Sequence, residues 1–251
     1  MLIDFSALSR SSVMGSLLRS ALRILPPSMV VPIIQGPIRG KKWIIGSCTN
    51  GCWLGTYEHH TIDVFQAMVP EGGIVYDIGA NVGYYTLVAA KLVRSSGHVY
   101  AFEPVPRNCE LLSKHLAING IDNVSVIEAA VSSAVSEARF DPHPGPSMGH
   151  LAAEGSLRVR CLTLDDFVFN QGMRPPDVIK IDVEGAEADV LKGGRELFRR
   201  CRPMVLLATH SDEVQRECRR LLESYGFTVE ALNGMPLDQA DQFVAKPSGA
   251  M

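Results

Sequence analysis

The chain has 251 residues, 46% hydrophobic and 20% charged, with a net charge of −3 and a pI near 6.2. This is the profile of a soluble globular chain with one large core, and it excludes an electrostatic nucleic-acid binder: there is no basic field, and aromatics at 7% give no stacking platform. The six cysteines, Cys48, Cys52, Cys109, Cys161, Cys201 and Cys218, show no paired C-x-x-C spacing, which fits reduced thiols in a cytosolic, hence cytoplasmic, protein.

Residues 12–25 place Val13, Leu17, Ala21 and Leu25 at helical spacing, so one amphipathic helix is predicted. Such a face packs on its own domain, with peripheral membrane contact as the alternative. No apolar run reaches the ~18 residues of a membrane span. Asp4, Arg10, Arg19 and Arg23 interrupt anything resembling a signal peptide, so export is disfavoured. From residue 70 onward, strand-like and helix-like segments alternate: strand 74–78, helix 83–93, strand 98–103, helix 106–118, strand 124–129. Repeated βα units predict an α/β fold, a mainly parallel sheet with helices on both faces. A Pro/Gly-rich loop at 141–155 then separates two added strands. Strand PDVIKID (176–182), a helix interrupted by Gly193-Gly194, strand PMVLLATH (203–210) and helix 212–226 follow. FTVEAL and QFVAKP close the chain as an antiparallel hairpin. The expected division is a helical and strand cap at 1–69 that folds over a pocket, and a ligand-binding domain at 70–251.

The turn VYDIGANVGYY (75–85) has the spacing D-x-G-x-N-x-G, with Tyr84 where a dinucleotide fingerprint would carry its third glycine. An acid at the strand end, Asp77, repels a pyrophosphate but suits an ammonium group, met directly or through water. S-adenosylmethionine (SAM) carries one, and its carboxylate can use free N–H groups at the helix start. Gly79 removes a Cβ that would block close approach; alternatively, Gly79 and Gly83 serve only a tight turn. Glu103, ending the second strand, is placed to accept hydrogen bonds from a ribose diol.

These and further segments resemble the FkbM family of SAM-dependent methyltransferases: GTYE (55–58), VYDIGANVGYYTL (75–87), VYAFEPVPRN (99–108), AAVSS (129–133), LDDF (164–167) and IKIDVEGAEADVLKGG (179–194). The resemblance runs from about residue 36 to 230. It implies a class I methyltransferase, a Rossmann-like seven-stranded sheet, and transfer of a methyl group to a hydroxyl of a small-molecule acceptor, a sugar or polyketide-type product. Carried over by residue, Asp77, Gly79, Ala80, Asn81 and Gly83 hold the methionine end and Glu103 the ribose. Pro104 and Asn108 shape the wall behind the ribose and adenine. Glu128, Ala129 and Ala130 lie near the adenine, although Glu128 could equally be a solvated strand end. Members often carry a glutamate before the fifth-strand histidine; here the stretch is Ala208-Thr209-His210, so that residue's role does not carry over.

Methyl transfer from a sulfonium needs exclusion of water, alignment of the acceptor oxygen and management of one proton. His210 is the expected base, titrating in the 6–8 region, with Asp182 and Glu184 the carboxylate alternatives. Tyr57, Glu58 and His59 are candidate acceptor contacts, against an exposed His59–His60 pair. Glu187 and Asp189 read as a solvated helix face. No metal is expected in the primary reading. The rivals are a metal-assisted version, with Asp182, Glu184 and His210 on Mg²⁺, and a non-catalytic or NAD-binding module.

Overall fold

The computed structural model describes residues 25–141, 150–151, 156–232 and 234–249. The amphipathic helix predicted at 12–25 lies, apart from Leu25, outside the described residues, as does most of the 141–155 loop. No helix among the described residues is long and apolar enough to cross a membrane.

The cap opens with an antiparallel ribbon, β1 (Val30–Pro32) and β2 (Lys42–Ile44), followed by helices α1 (Asn50–Leu54) and α2 (His59–Met68). Then come β3 (Ile74–Ile78), α3 (Tyr84–Val93), β4 (His98–Phe102), α4 (Pro106–Asn119) and β5 (Val124–Ile127). A proline at its first position and a left-handed Gly120 just beyond its end bound α4, as helix termini favour. Four strands leave the central layer: β6 (Ala130–Val131), β7 (Ser136–Asp141), β8 (His150–Leu151) and β9 (Leu157–Leu162). The two added strands expected on either side of the 141–155 loop are β7 and β9, which pair antiparallel within a separate sheet of order β6-β9-β7-β8. The alternation then resumes with β10 (Val178–Ile181), α5 (Glu187–Gly193), α6 (Arg195–Arg200), β11 (Met204–Ala208), α7 (Asp212–Ser224), β12 (Phe227–Ala231) and β13 (Gln242–Pro247). The Gly193-Gly194 pair splits the predicted long helix into α5 and α6. A Cβ on Gly193 would stand 2.0 Å from the Ser132 carbonyl oxygen, so close packing on the four-stranded sheet demands glycine there.

The central sheet has seven strands in the order β12-β13-β11-β10-β3-β4-β5. Its five strands from β11 to β5 are parallel, and β13 runs antiparallel to both β11 and β12. Because side chains alternate along a strand, β3 feeds two cores. Ile74, Tyr76 and Ile78 join Val190, Leu191, Phe198 and Leu222 from α5, α6 and α7. Val75 faces the other way, to Leu87 and Val88 of α3 and Leu112 of α4. The cap shares that second core through Ile33, Ile38, Trp43, Ile62 and Phe65, so it has no separate interior. Each fully buried Leu, Ile or Phe contributes roughly 1.5–3 kcal/mol.

The chain leaves β3 towards β4 and β5, then returns to place β10 on the opposite side of β3. That reversal opens a crevice at the carboxyl ends of β3 and β10, where ligands of open α/β sheets bind.

Candidate active site

A cavity of about 720 Å³ occupies this crevice, within the range of small-molecule sites. Its walls come from the β3–α3 turn (Gly79 to Tyr85), the end of β4 (Phe102 to Asn108), Ala129 to Val131, the β10 turn (Asp182 to Glu184) and the end of β11 (Ala208 to His210). The cap closes it with Cys48, Cys52, Tyr57 and Glu58.

The β3–α3 turn is tight by necessity. Gly79 has φ of 76°, and a Cβ there would lie 1.8 Å from the Asp182 carbonyl oxygen. The approach of the β10 end therefore requires glycine, whatever the ligand. Asn81 is left-handed as well, and its N–H donates to Oε2 of Glu103 at 2.8 Å. Oε1 of Glu103 accepts from Val105 N–H at 3.0 Å and Asn108 Nδ2 at 3.1 Å. A carboxylate offers about four lone-pair sites. Three are used by protein donors, which leaves one on Oε2. Burial pushes its carboxyl above the ordinary range, against the pull of these hydrogen bonds.

Asp77 requires a correction. It is fully buried and absent from the cavity wall. Its side chain lies on the sheet face beneath α3, where Oδ2 accepts from Thr86 Oγ1 at 2.6 Å. The register of β3 and β10 sets Lys180 opposite it, with Nζ 3.6 Å from Oδ1. The direct contact with a ligand ammonium is therefore closed in this arrangement. Lys180 itself lines the cavity, donates to the Gly79 carbonyl at 3.1 Å and reaches Asp182 Oδ2 at 3.4 Å. Burial works to strip its proton, but Asp182 and Asp77 outweigh that and hold the ammonium above the usual lysine range. Sequence reasoning passed over Lys180. The available signal was a charge inside the apolar run VIKI.

Pro104, Asn108, Ala129 and Ala130 line the cavity, as Ala80, Asn81 and Gly83 do. Glu128 is exposed and does not line it, because β5 ends one residue earlier. His59 faces a second cavity of about 390 Å³ with Asp63 and Gln66, and among the described residues only Tyr57 and Tyr84 border both cavities. His59 opens α2 and is carried off the main site with it. Glu58 stays in place, its Oε2 accepting from Tyr85 OH at 2.7 Å. A hydrogen bond from the Cys52 thiol lowers Cys48 to about 7.

Opposite the Glu103 wall, Asp182, Glu184 and His210 converge. Nε2 of His210 lies 3.4 Å from Asp182 Oδ1 and 3.5 Å from Glu184 Oε2. Glu184 has a left-handed backbone, φ of 57°, a costly conformation for a residue with a Cβ and one that clusters at functional sites. Glu187, expected on a solvated face, is fully buried instead. Its Oε1 accepts from Gly185 N–H at 3.0 Å and sits 2.6 Å from His210 Nδ1. One carboxylate thus fixes both the turn that carries Glu184 and the imidazole ring. The pairing was hidden in sequence because its partners are 23 residues apart. Asp189 remains solvent-accessible beside Lys192.

The Glu187 hydrogen bond, with Glu184 and Asp182 nearby, overcomes partial burial and pushes His210 up to about 9. The imidazole is then a cation near neutral pH, not the neutral base expected to titrate between 6 and 8. Burial raises Glu184 above the ordinary carboxylate range, although His210 opposes it. The chemistry on offer is a cavity with a ribose-type acceptor group on one side and a proton-handling cluster on the other.

Comparison with known proteins finds methyltransferases. The chain is 25% identical over 175 residues to the hexuronic acid methyltransferase AglP of Haloferax volcanii, covering 69% of this chain and 71% of AglP. It is 28% identical over 151 residues to the 2-O-methyltransferase NoeI of Sinorhizobium fredii, covering 51% and 60%. It is 27% identical over 197 residues to the 31-O-demethyl-FK506 methyltransferase FkbM of Streptomyces tacrolimicus, covering 64% and 74%. The family model described as the methyltransferase FkbM domain matches residues 77–229, and the chain belongs to this family of SAM-dependent methyltransferases.

Proposed function

We propose that the protein transfers the methyl group of SAM to a hydroxyl of a small-molecule acceptor, a sugar, a glycoconjugate or a polyketide-type product. The observation that carries this reading is the convergence of Asp182, Glu184 and His210 across the cavity from Glu103. The printed activities of AglP, NoeI and FkbM support an oxygen acceptor. The methionine end of SAM lies along Gly79 to Gly83, the ribose at Glu103 and the adenine near Ala129 and Ala130. The acceptor enters from the side of Tyr57 and Glu58.

The donor brings its own leaving group, so the cluster has one chemical task, to take the hydroxyl proton as the methyl moves. We assign that task to Glu184. It faces the cavity, burial has made it a stronger base than an exposed carboxylate, and His210 engages only its Oε2. His210, held by Glu187, orients the carboxylates. The test is single-turnover transfer in Glu184→Gln, with SAM binding read by calorimetry. Transfer should slow at least ~100-fold, with SAM affinity near wild type. Retention of most activity would remove Glu184 from the role.

A further inference from the structure

Asp182 and Glu184 leave β10 on one turn and His210 leaves β11 on another, yet one donor atom from each falls within 4.8 Å of the others. Two of these separations are 3.4 and 3.5 Å. Adjacent donors around an octahedral Mg²⁺ or Mn²⁺, on bonds of about 2.1 Å, stand about 3 Å apart. The imidazole nitrogen and both carboxylates therefore sit close to the spacing that a cation imposes, without large movement.

A second observation comes from behind the ring. A histidine that ligates a metal through one nitrogen is commonly held through the other by a carboxylate. Glu187 does this: it is fully buried, its Oε1 meets Nδ1 at 2.6 Å, and its Oε2 has no hydrogen-bond partner among the described residues. Nδ1–H donates to Glu187, so Nε2 is the nitrogen turned to Asp182 and Glu184, and a cation binding there displaces the Nε2 proton. The three side chains are 25–34% exposed and all face the cavity, which leaves coordination positions open on the ligand side.

We propose that Asp182, Glu184 and His210 hold one divalent cation of the Mg²⁺ or Mn²⁺ class, with Glu187 as the positioning residue, and that its open positions take two neighbouring acceptor oxygens. The acceptor class that follows is a vicinal diol or a hydroxy acid, which can chelate. Coordination lowers the proton affinity of the bound hydroxyl. Glu184 spends one oxygen on the ion and keeps the other for the proton, while Asp182 Oδ2 stays with Lys180. The role given to the ion rests on the proposed transfer to a hydroxyl; its binding does not.

The test is therefore a binding measurement that needs no acceptor: titration of the full chain with MnCl₂ followed by electron paramagnetic resonance. The expected result is saturation at one Mn²⁺ per chain, displaced by MgCl₂. Asp182→Asn and His210→Gln should each weaken it at least ~10-fold, and Glu187→Gln by about 10–100-fold. Calorimetry with SAM on the same variants reports that each is folded. Non-saturating uptake, or an affinity unchanged in both Asp182→Asn and His210→Gln, would overturn the site. An unchanged affinity in Glu187→Gln would overturn its positioning role. Loss of the metal site would leave methyl transfer standing, and a bound ion without transfer would count against the acceptor reading alone.

Discussion

Glu103 and Lys180 show how single buried charges fix this site. Glu103 ties down the β3–α3 turn through Asn81 and the start of α4 through Val105, and the proposed function gives its remaining lone-pair site to the ribose. Glu103→Ala should weaken SAM by the worth of one charge-assisted hydrogen bond, about 1.5–3 kcal/mol, or roughly 10–100-fold by calorimetry. Unchanged affinity would place the ribose elsewhere. Lys180 is the counter-charge for the fully buried Asp77. Removing one partner of a buried pair costs about 3–5 kcal/mol because the other is left uncompensated. Lys180→Met should therefore lower the thermal midpoint sharply, and adding Asp77→Asn should recover much of the loss. No recovery in the double variant would show that Lys180 acts through packing instead. Asp77 was legible as an acid at a strand end, but which way it points was not. That depends on a partner strand about 100 residues later in the chain.

The elements were legible wherever one local rule sufficed. Apolar runs bounded by Gly, Pro and Asn placed β3, β4, β10 and β11 within a residue or two, and the paired glycines placed the break between α5 and α6. What escaped was structure set by long-range packing: where the cap's short strands lie, that β6 to β9 form a sheet of their own, and the burial of Glu187. The contact between β2 and α4 is of the same kind. His115 accepts from Ile44 N–H through Nε2 at 3.1 Å, donates to the Val82 carbonyl through Nδ1 at 2.8 Å and stacks on Trp43 at 3.9 Å. Only the neutral imidazole can both accept and donate. Burial accordingly holds His115 below the ordinary histidine value. A lowered folded-state pKa means that the unfolded chain binds the proton more readily. This stabilisation is complete above the ordinary midpoint of about 6.5 and is lost as pH falls below it towards the lowered folded value. Denaturant melts should show that acid-side loss, and His115→Phe should flatten it while costing roughly 1–3 kcal/mol at neutral pH. An identical pH dependence in the variant would assign the loss to other groups.

Across the whole molecule, the reversal of strand order at β3 and β10 decides where chemistry happens. It opens the crevice, and the two cores clamp its walls from opposite faces of the sheet. The cap belongs to one of those cores, so the wall it gives the cavity is built into the fold. Methyl transfer to a hydroxyl leaves a covalent mark on its product, and product analysis reads it. The protein is incubated with SAM and a panel of hydroxylated glycans and polyketides, and the products are resolved by intact and tandem mass spectrometry. The expected result is an acceptor gaining one methyl group as an ether on oxygen, with S-adenosylhomocysteine formed in equal amount. A methyl group found on nitrogen or carbon would contradict it.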